Sequence, residues 1–381
     1  MAHICYITGL YDRRDSLMYY RQGLGMVQAG HKVSYVVCDD QPDEVSEGIN
    51  IYSTRFVPKG RLERFVKTKK KVLQLADRLD ADIYQISDPE HISVVEHFRR
   101  KGKVVIFNMR EYYPDMLLKK SYIPRLFRKS ASWGYLKMMA YYLKRYGAVF
   151  TVTPEFVSLL EKQSHLKNVY LLTNYPIPDS NYTLPKEEYM SRKNTIIYEG
   201  TIYGSSRQNI FLDALQRIPN IDYLLVGKID EGNNGIMLHQ AWDRVTFVDG
   251  FTMEELKEYF AKSTISNTLR DFGNRDGSLG VIKIFESMEA ALPVIFSDVP
   301  LYRSIVEKYH CGICADPNDV DSVEKAIRYL VEHKEEAYEM GQNGRRAVLE
   351  EYNWWEQFKT YHGIITRLLE ENKCNKKDKT V

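Results

Sequence analysis

The feature that most constrains how this chain can fold is a repeated alternation of short β-branched or aromatic runs with segments of helical periodicity. In the first half the runs are "HICYIT" (3–8), "KVSYVV" (32–37), "ADIYQIS" (81–87), "KVVIFNM" (103–109) and "AVFTVT" (148–153), with helical patterns such as 15–29 and 61–79 between them. Runs of strand length separated by helices imply parallel strands joined by crossovers, and so a doubly wound α/β sheet. From Asn174 to Asn194 the pattern lapses into "NYPIPDSNYTLPKEEYMSRKN", whose proline, serine and asparagine mark the best linker in the chain. The alternation then resumes with "TIIYEG" (195–200), "DYLLVG" (222–227), "VTFVDG" (245–250), "STISNT" (263–268), "PVIFSD" (293–298) and "CGICAD" (311–316), with helices from about 206, over 252–261 and over 319–333, and a long helical tail over 335–373. A chain of 381 residues exceeds one ordinary core. The expected division is a domain over 1–175, a linker over 176–192, a second domain over 193–350 and a segment over 351–381 whose helix returns to the first domain and ends in a solvated tail. Two such domains place a small-molecule site in the cleft, at the carboxyl ends of the strands.

Charged residues make up 27% and hydrophobic residues 44%, with a formal net charge of +2, which argues against wholesale disorder and against bulk coating of nucleic acid. The five cysteines, Cys5, Cys38, Cys311, Cys314 and Cys374, are odd in number and scattered, which fits a reducing cytoplasm better than a disulfide framework. The "CGIC" run at 311–314 reads as buried core, because no further zinc ligands follow at short spacing. The opening "MAHICYITGLYDRRD" reads as a strand ending in a loop rather than as a leader, and no apolar run approaches membrane-spanning length. Asp271 and Asp276 in "RDFGNRDG" read as loop solvation; with no clustered Asp/His constellation, no metal is expected.

The stretch "GSLGVIKIFESMEAALPVIFSD" (277–298) carries the strongest chemical signal. On a helix starting near Leu279, Val281, Ile284, Phe285, Met288 and Leu292 form one apolar stripe, while Lys283 and Glu286 lie one turn apart on the other face. The plain reading is a solvent-exposed ion pair stabilising the helix by a few tenths of a kcal/mol. Against it, the helix follows a glycine-bearing loop suited to an anion at a helix N-terminus, and small Ser287 and Ala290 leave room for a ligand. A lysine there can neutralise phosphate, and a carboxylate one turn along can accept the vicinal hydroxyls of a ribose. Both readings stand on the residues alone.

"KIFESMEAALPVI", followed by "SDVP", "CGICADPNDVDSVEKAI" and "YNWWEQF", resembles the C-terminal half of family 4 glycosyltransferases. In the first half, "LGMVQAGHKVSYVV" (24–37), "DADIYQISDPE" (80–90), "VVIFNMREYYPD" (104–115), "FTVTPEF" (150–156) and "LLTNYP" (171–176) resemble the same family in order and spacing. The resemblance implies a GT-B fold, two Rossmann-like domains facing across a cleft. It also implies a retaining transfer of sugar from a UDP- or GDP-sugar held by the second domain to an acceptor held by the first, with no cofactor or metal. By the same resemblance Glu286 would bind the donor ribose and Lys283 phosphate or sugar. Gly9 would approach the diphosphate, Gly200 and Gly280 would belong to the donor-binding site, and Arg207 would be the nearest basic residue to the diphosphate. Ser278 stands where the family's first motif glutamate is expected and could still hydrogen-bond a donor sugar hydroxyl, and Arg110 stands beside Glu111 where a histidine is usual. Arg110 could grip an anionic substrate group or pair with Glu111. Catalysis in such enzymes rests on cations that stabilise charge growing on the leaving diphosphate, for which Arg207 and Lys283 are the candidates, with Arg110 and Glu111 as catalytic contacts of the first domain. A GT-B nucleotide-sugar epimerase and a catalytically silent glycosyltransferase-like subunit remain alternatives.

From Met116 to Pro154 no acidic residue occurs, while basic residues such as Lys119, Arg125, Arg128, Lys129 and Lys137 interleave with Leu117, Tyr122, Leu126, Phe127 and Trp133. With "KGRLERFVKTKKK" (59–71), the stretch 116–146 suggests a first domain leaning on anionic membrane, which fits a lipid-linked saccharide acceptor in capsule, O-antigen or exopolysaccharide assembly. Ordinary basic helices with buried aromatic faces are the plain alternative. RNA is disfavoured because no nucleic-acid motif accompanies the charge.

Overall fold

The computed structural model describes residues 1–60, 63–120, 123–179, 182–273, 275–278 and 281–377. The chain forms two compact units, Met1–Asn174 with Trp354–Val381, and Tyr175–Asn353.

The first unit is built on β1 (His3–Ile7), β2 (Lys32–Val37), β3 (Glu44–Ser46), β4 (Ile49–Ser53), β5 (Ile83–Ile86), β6 (Val104–Met109), β7 (Ala148–Thr151) and β8 (Val169–Leu171). Their spatial order is β3-β4-β2-β1-β5-β6-β7-β8, and every pairing is parallel except β3 with β4. Strands β5, β6 and β7 are buried along their whole length, the reason they read as unbroken apolar runs. The predicted helix over 15–29 begins instead as a π-helical turn, Met18–Gly23, and becomes α-helical over Leu24–Gln28. The tail expected as one helix over 335–373 is two, Lys334–Glu350 and Trp354–Lys377. The second of these belongs to the first unit: Trp354, Tyr361, Ile365 and Leu368 recur at helical spacing and join Ile4, Tyr6, Ile106 and Phe150 in one core. Its buried polar groups are matched, since Tyr361 donates to Gln85 Oε1 at 2.7 Å and Trp354 Nε1 donates to the Arg21 carbonyl at 3.1 Å.

The second unit carries β9 (Thr195–Glu199), β10 (Asp222–Gly227), β11 (Val245–Asp249), β12 (Ile265–Asn267), β13 (Val294–Ser297) and β14 (Gly312–Ala315), all parallel, in the order β11-β10-β9-β12-β13-β14. Residues 176–192, expected as a linker, belong to this unit. They contain the helix Lys186–Ser191, and fully buried Tyr189 donates to the Thr264 carbonyl at 2.8 Å, so apolar burial outweighs the local proline signal. Cys311 is buried and Cys314 half-buried at β14, and burial pushes both thiols up to about 12, well away from the reactive thiolate range.

In both sheets the strand order reverses direction beside the first strand, between β1 and β5 and between β9 and β12. Crossover connections leave this switch point on opposite sides, which opens a crevice at the carboxyl ends of the two strands. The residues that follow β1, β5, β9 and β12 are therefore the ones the topology presents to a ligand.

Candidate active site

At the switch point of the second unit lies an open cavity of about 400 Å³, lined among others by Glu199, Gly200, Arg270, Val281, Lys283 and Glu286. Its helix spans Ile282–Glu289, starting three residues later than the sequence pattern predicts. The apolar stripe fixes it: Val281, Ile284, Phe285, Met288 and Leu292 are all buried. Behind it the helix Lys334–Glu350 approaches closely, because an added Cβ at Gly341 would meet the Ala291 carbonyl oxygen at 2.1 Å. Arg345 on that helix donates to the Glu289 carbonyl at 2.7 Å and closes the carboxyl end of the site helix. Lys283 and Glu286 are thus carried on a short element held from both sides.

Lys283 is half-buried. Its ammonium sits 3.8 Å from the centroid of the Tyr198 ring and 3.5 Å from the Glu199 carbonyl oxygen, a cation–π seat that holds it at the mouth of β9. Glu199 is 4% exposed and meets the Glu286 carboxylate. Burial and then the charge and hydrogen bond of Glu286 drive the Glu199 carboxyl well above the usual carboxylate range, with Lys283 opposing in part. Gly200 continues β9 with φ +99, a conformation that a side chain rarely adopts, and its N–H donates to the Val226 carbonyl at 2.8 Å.

Several expectations change. Arg207 sits in a left-handed conformation (φ +48) at the start of the helix Gln208–Gln216, its guanidinium bonded to Asp271, and it lines a different cavity with Asn233 and Gly204. Asp271, read as mere loop solvation, is that partner. Arg270 lines the main cavity instead, its Nε buried and without a hydrogen-bond partner. Ser278 does not line the cavity, and its carbonyl accepts from the Tyr302 hydroxyl at 2.9 Å. Gly280 lies outside the described residues.

In the first unit the corresponding crevice is filled by its own side chains. The Gly9 N–H donates to Asp88 Oδ2 at 2.5 Å, Thr8 donates to Asp88 Oδ1 at 2.8 Å, and an added Cβ at Gly9 would meet Thr68 Cγ2 at 2.3 Å. The amide of Gly9, the residue expected to approach a diphosphate, is thus bonded to a carboxylate of its own unit. Arg110 does not pair with Glu111, which is exposed. It binds Asp15 through both terminal nitrogens, at 2.8 and 2.5 Å, and stacks 3.9 Å from the Tyr11 ring centroid. Burial alone would raise the Asp15 carboxyl, but Arg110 and the Met18 and Leu17 amides outweigh it and hold the group below its ordinary value. Among the described residues no group of three or more His, Cys, Asp or Glu side chains is arranged to hold a metal ion.

Glu199 and Arg270 carried a signal that sequence reasoning passed over: each is a charged residue at or just beyond the carboxyl end of a strand beside the switch point. A parallel strand buried on both faces admits a charge there when it has a partner or a task.

Residues 183–347 match the family model described as Glycosyl transferases group 1. Over 354 residues the chain is 22% identical to an uncharacterized glycosyltransferase of Haemophilus influenzae, covering 89% of this chain and 92% of that protein. Among solved structures it is similar to sucrose-phosphate synthase from Thermosynechococcus elongatus, with a TM-score of 0.71 at 18% identity over 97% of this chain and 100% of that one. Anabaena HepE in complex with UDP and glucose gives 0.66 at 13% identity, covering 96% and 100%. WaaG, a glycosyltransferase involved in lipopolysaccharide biosynthesis, gives 0.66 at 12% identity, covering 95% and 99%. The architecture is that of the GT-B glycosyltransferases, and the family match over the second unit supports a glycosyltransferase built on that fold.

Proposed function

We propose that the chain is a retaining glycosyltransferase that takes a sugar from a nucleotide-diphosphate sugar held in the second unit and passes it to a lipid-linked saccharide in cell-surface polysaccharide assembly. The observation that carries the donor side is the meeting of Lys283, Glu286, Gly200 and Arg270 around one cavity at the switch point. Glu286 supplies an acceptor for ribose hydroxyls, and Gly200 leaves the backbone clear for the diphosphate. The N-cap residue of the site helix, Val281, makes no side-chain cap, so its first-turn N–H groups are suited to an anion. Lys283 and Arg270, rather than Arg207, are the cations that would stabilise charge growing on the leaving diphosphate. The reading of UDP or GDP as the nucleotide rests on the family resemblance and on neighbours crystallised with UDP. The same resemblance underlies retention, by front-face attack of the acceptor with the departing diphosphate oxygen taking its proton.

The acceptor side rests on an exposed face of the first unit. On the helix Arg125–Leu143, Leu126 is 83%, Phe127 59% and Trp133 64% exposed among Arg125, Lys129 and Lys137, and Phe65 and Val66 are exposed beside Lys67. Apolar tips among basic side chains suit the headgroup region of an anionic bilayer on the cytoplasmic face of the cell membrane, where each basic residue contributes about 1 kcal/mol. No helix among the described residues is long and apolar enough to cross a membrane.

A thermal-shift panel of UDP, GDP, CMP, ADP and their sugars tests the donor side. One diphosphate should raise the melting temperature, by linkage worth about 2.7 kcal/mol at a hundred times its Kd; a flat panel would overturn the reading. Transfer to acceptor, as against turnover of donor alone or none, separates a transferase from an epimerase and from a silent subunit. Flotation with phosphatidylglycerol vesicles at low salt tests the membrane face, and binding no better than to phosphatidylcholine would refute it.

A further inference from the structure

Among the described residues Glu199 is the one buried carboxyl at the switch point of the second sheet, and the family resemblance gives it no role. Its charged or titratable neighbours can be named element by element. Glu286 and Lys283 face it from the site helix Ile282–Glu289, Arg270 lines the same cavity from the loop after β12, and Tyr203 does so from the loop after β9. Lys257, on the helix Met253–Lys262, lines an adjoining cavity that also touches Glu286. Of these, Glu286 and Lys283 act on Glu199 directly. Glu199 and Glu286 line one cavity, the charge and hydrogen bond of Glu286 help to raise the Glu199 carboxyl, and Glu199 Oε1 is buried without a hydrogen-bond partner.

Two ionised carboxylates cannot share so dry a contact, and one lysine offsets one charge, not two. With a single proton on the pair, the trio of Glu199, Glu286 and Lys283 is neutral. With none it would turn a net negative charge toward an incoming diphosphate. Resting on the donor reading above, we infer that Glu199 is a positioning residue for the nucleotide: it carries the proton of an acid–carboxylate pair and donates it to Glu286, fixing that carboxylate to accept the ribose hydroxyls. Glutamine at 199 can donate in the same place through its amide, whereas leucine cannot.

The test uses the full chain as wild type, Glu199→Gln and Glu199→Leu. The infrared difference spectrum of wild type minus Glu199→Gln, taken at about pH 8, should contain the carbonyl stretch of a neutral carboxylic acid. Calorimetric titration with UDP and with GDP should place Glu199→Gln within about threefold of wild type and Glu199→Leu weaker by about tenfold or more. Absence of the neutral-acid band overturns the inference, as does a leucine variant that binds like wild type. If Glu199→Leu does not fold, a glutamine variant much weaker than threefold refutes the role on its own. Wild type that binds neither nucleotide overturns the donor reading and the positioning role together, whereas binding by wild type with an equal leucine variant overturns the positioning role alone.

Discussion

Substituting Gly227 by alanine should destabilise the second unit far more than the same change at Gly250. Gly227 ends β10 at φ +142, and a Cβ built there would lie 2.2 Å from the Gly200 carbonyl oxygen and 2.7 Å from its carbon. That is roughly 1 Å short of ordinary contact, and the atom met is backbone that cannot swing aside. Holding alanine at such a φ contributes about 1–3 kcal/mol of strain, and pushing the β9 mouth away contributes about 1–3 kcal/mol more, so a loss of about 2–6 kcal/mol is expected. Gly250 has φ +80 with nothing within 4 Å of its Cβ position, which leaves conformational strain of about 1–2 kcal/mol. The four tryptophans allow a selective assay, since Trp242 alone lies in Tyr175–Asn353. Fluorotryptophan labelling with fluorine NMR during urea unfolding follows the second unit by itself. Because Gly200 lines the cavity, Gly227→Ala should also weaken UDP or GDP binding at urea concentrations where the unit remains folded. Equal destabilisation by the two alanines, within about 0.5 kcal/mol, would refute the close approach of β9 and β10 mouths on which the site's geometry depends.

Further expectations concern the charged groups. Lys283→Ala and Glu286→Ala should each abolish the nucleotide-induced thermal shift while leaving the fold intact, and an unchanged shift in both would return the pair to a solvent-facing role. Folding raises the Glu199 carboxyl, so its stabilising contribution is complete below the unfolded value and is lost as pH rises toward the folded one. Wild type should therefore lose stability relative to Glu199→Gln above about pH 4.3, by at most about 1.4 kcal/mol per pH unit, levelling off past the raised value; pH-resolved urea melts read this directly. Asp15→Asn leaves Arg110, at 16% side-chain exposure, facing a neutral amide, and should cost about 3–5 kcal/mol of first-unit stability in the same melts.

The fold was legible because the physics that writes it is periodic. Parallel strands buried on both faces are largely apolar, so β1, β2, β5, β6, β7, β9, β10 and β13 stand out as runs, while β12 is buried but partly polar and β11 is partly exposed. The strands missed lie toward the edges of the first sheet: β3 and β8 are three residues long, and β4 is buried only at alternate positions. Lys283, Glu286 and Gly200 could be found because helical spacing and a glycine at a strand end are local signals. Arg207 misled because the direction of its side chain is set by a φ of +48 and by Asp271, sixty-four positions away, neither of which spacing encodes. Glu199 and Arg270 hid inside or beside apolar runs, where a period-based reading treats them as noise.

The contrast between the two switch points carries one more consequence. In the first unit the Asp88 carboxylate bonds the Gly9 amide and ties the turn after β1 to the turn after β5, whereas in the second unit the Gly200 amide bonds backbone and the glycine lines a cavity. On the donor reading, one nucleotide per chain is expected, which calorimetric titration with UDP or GDP would count.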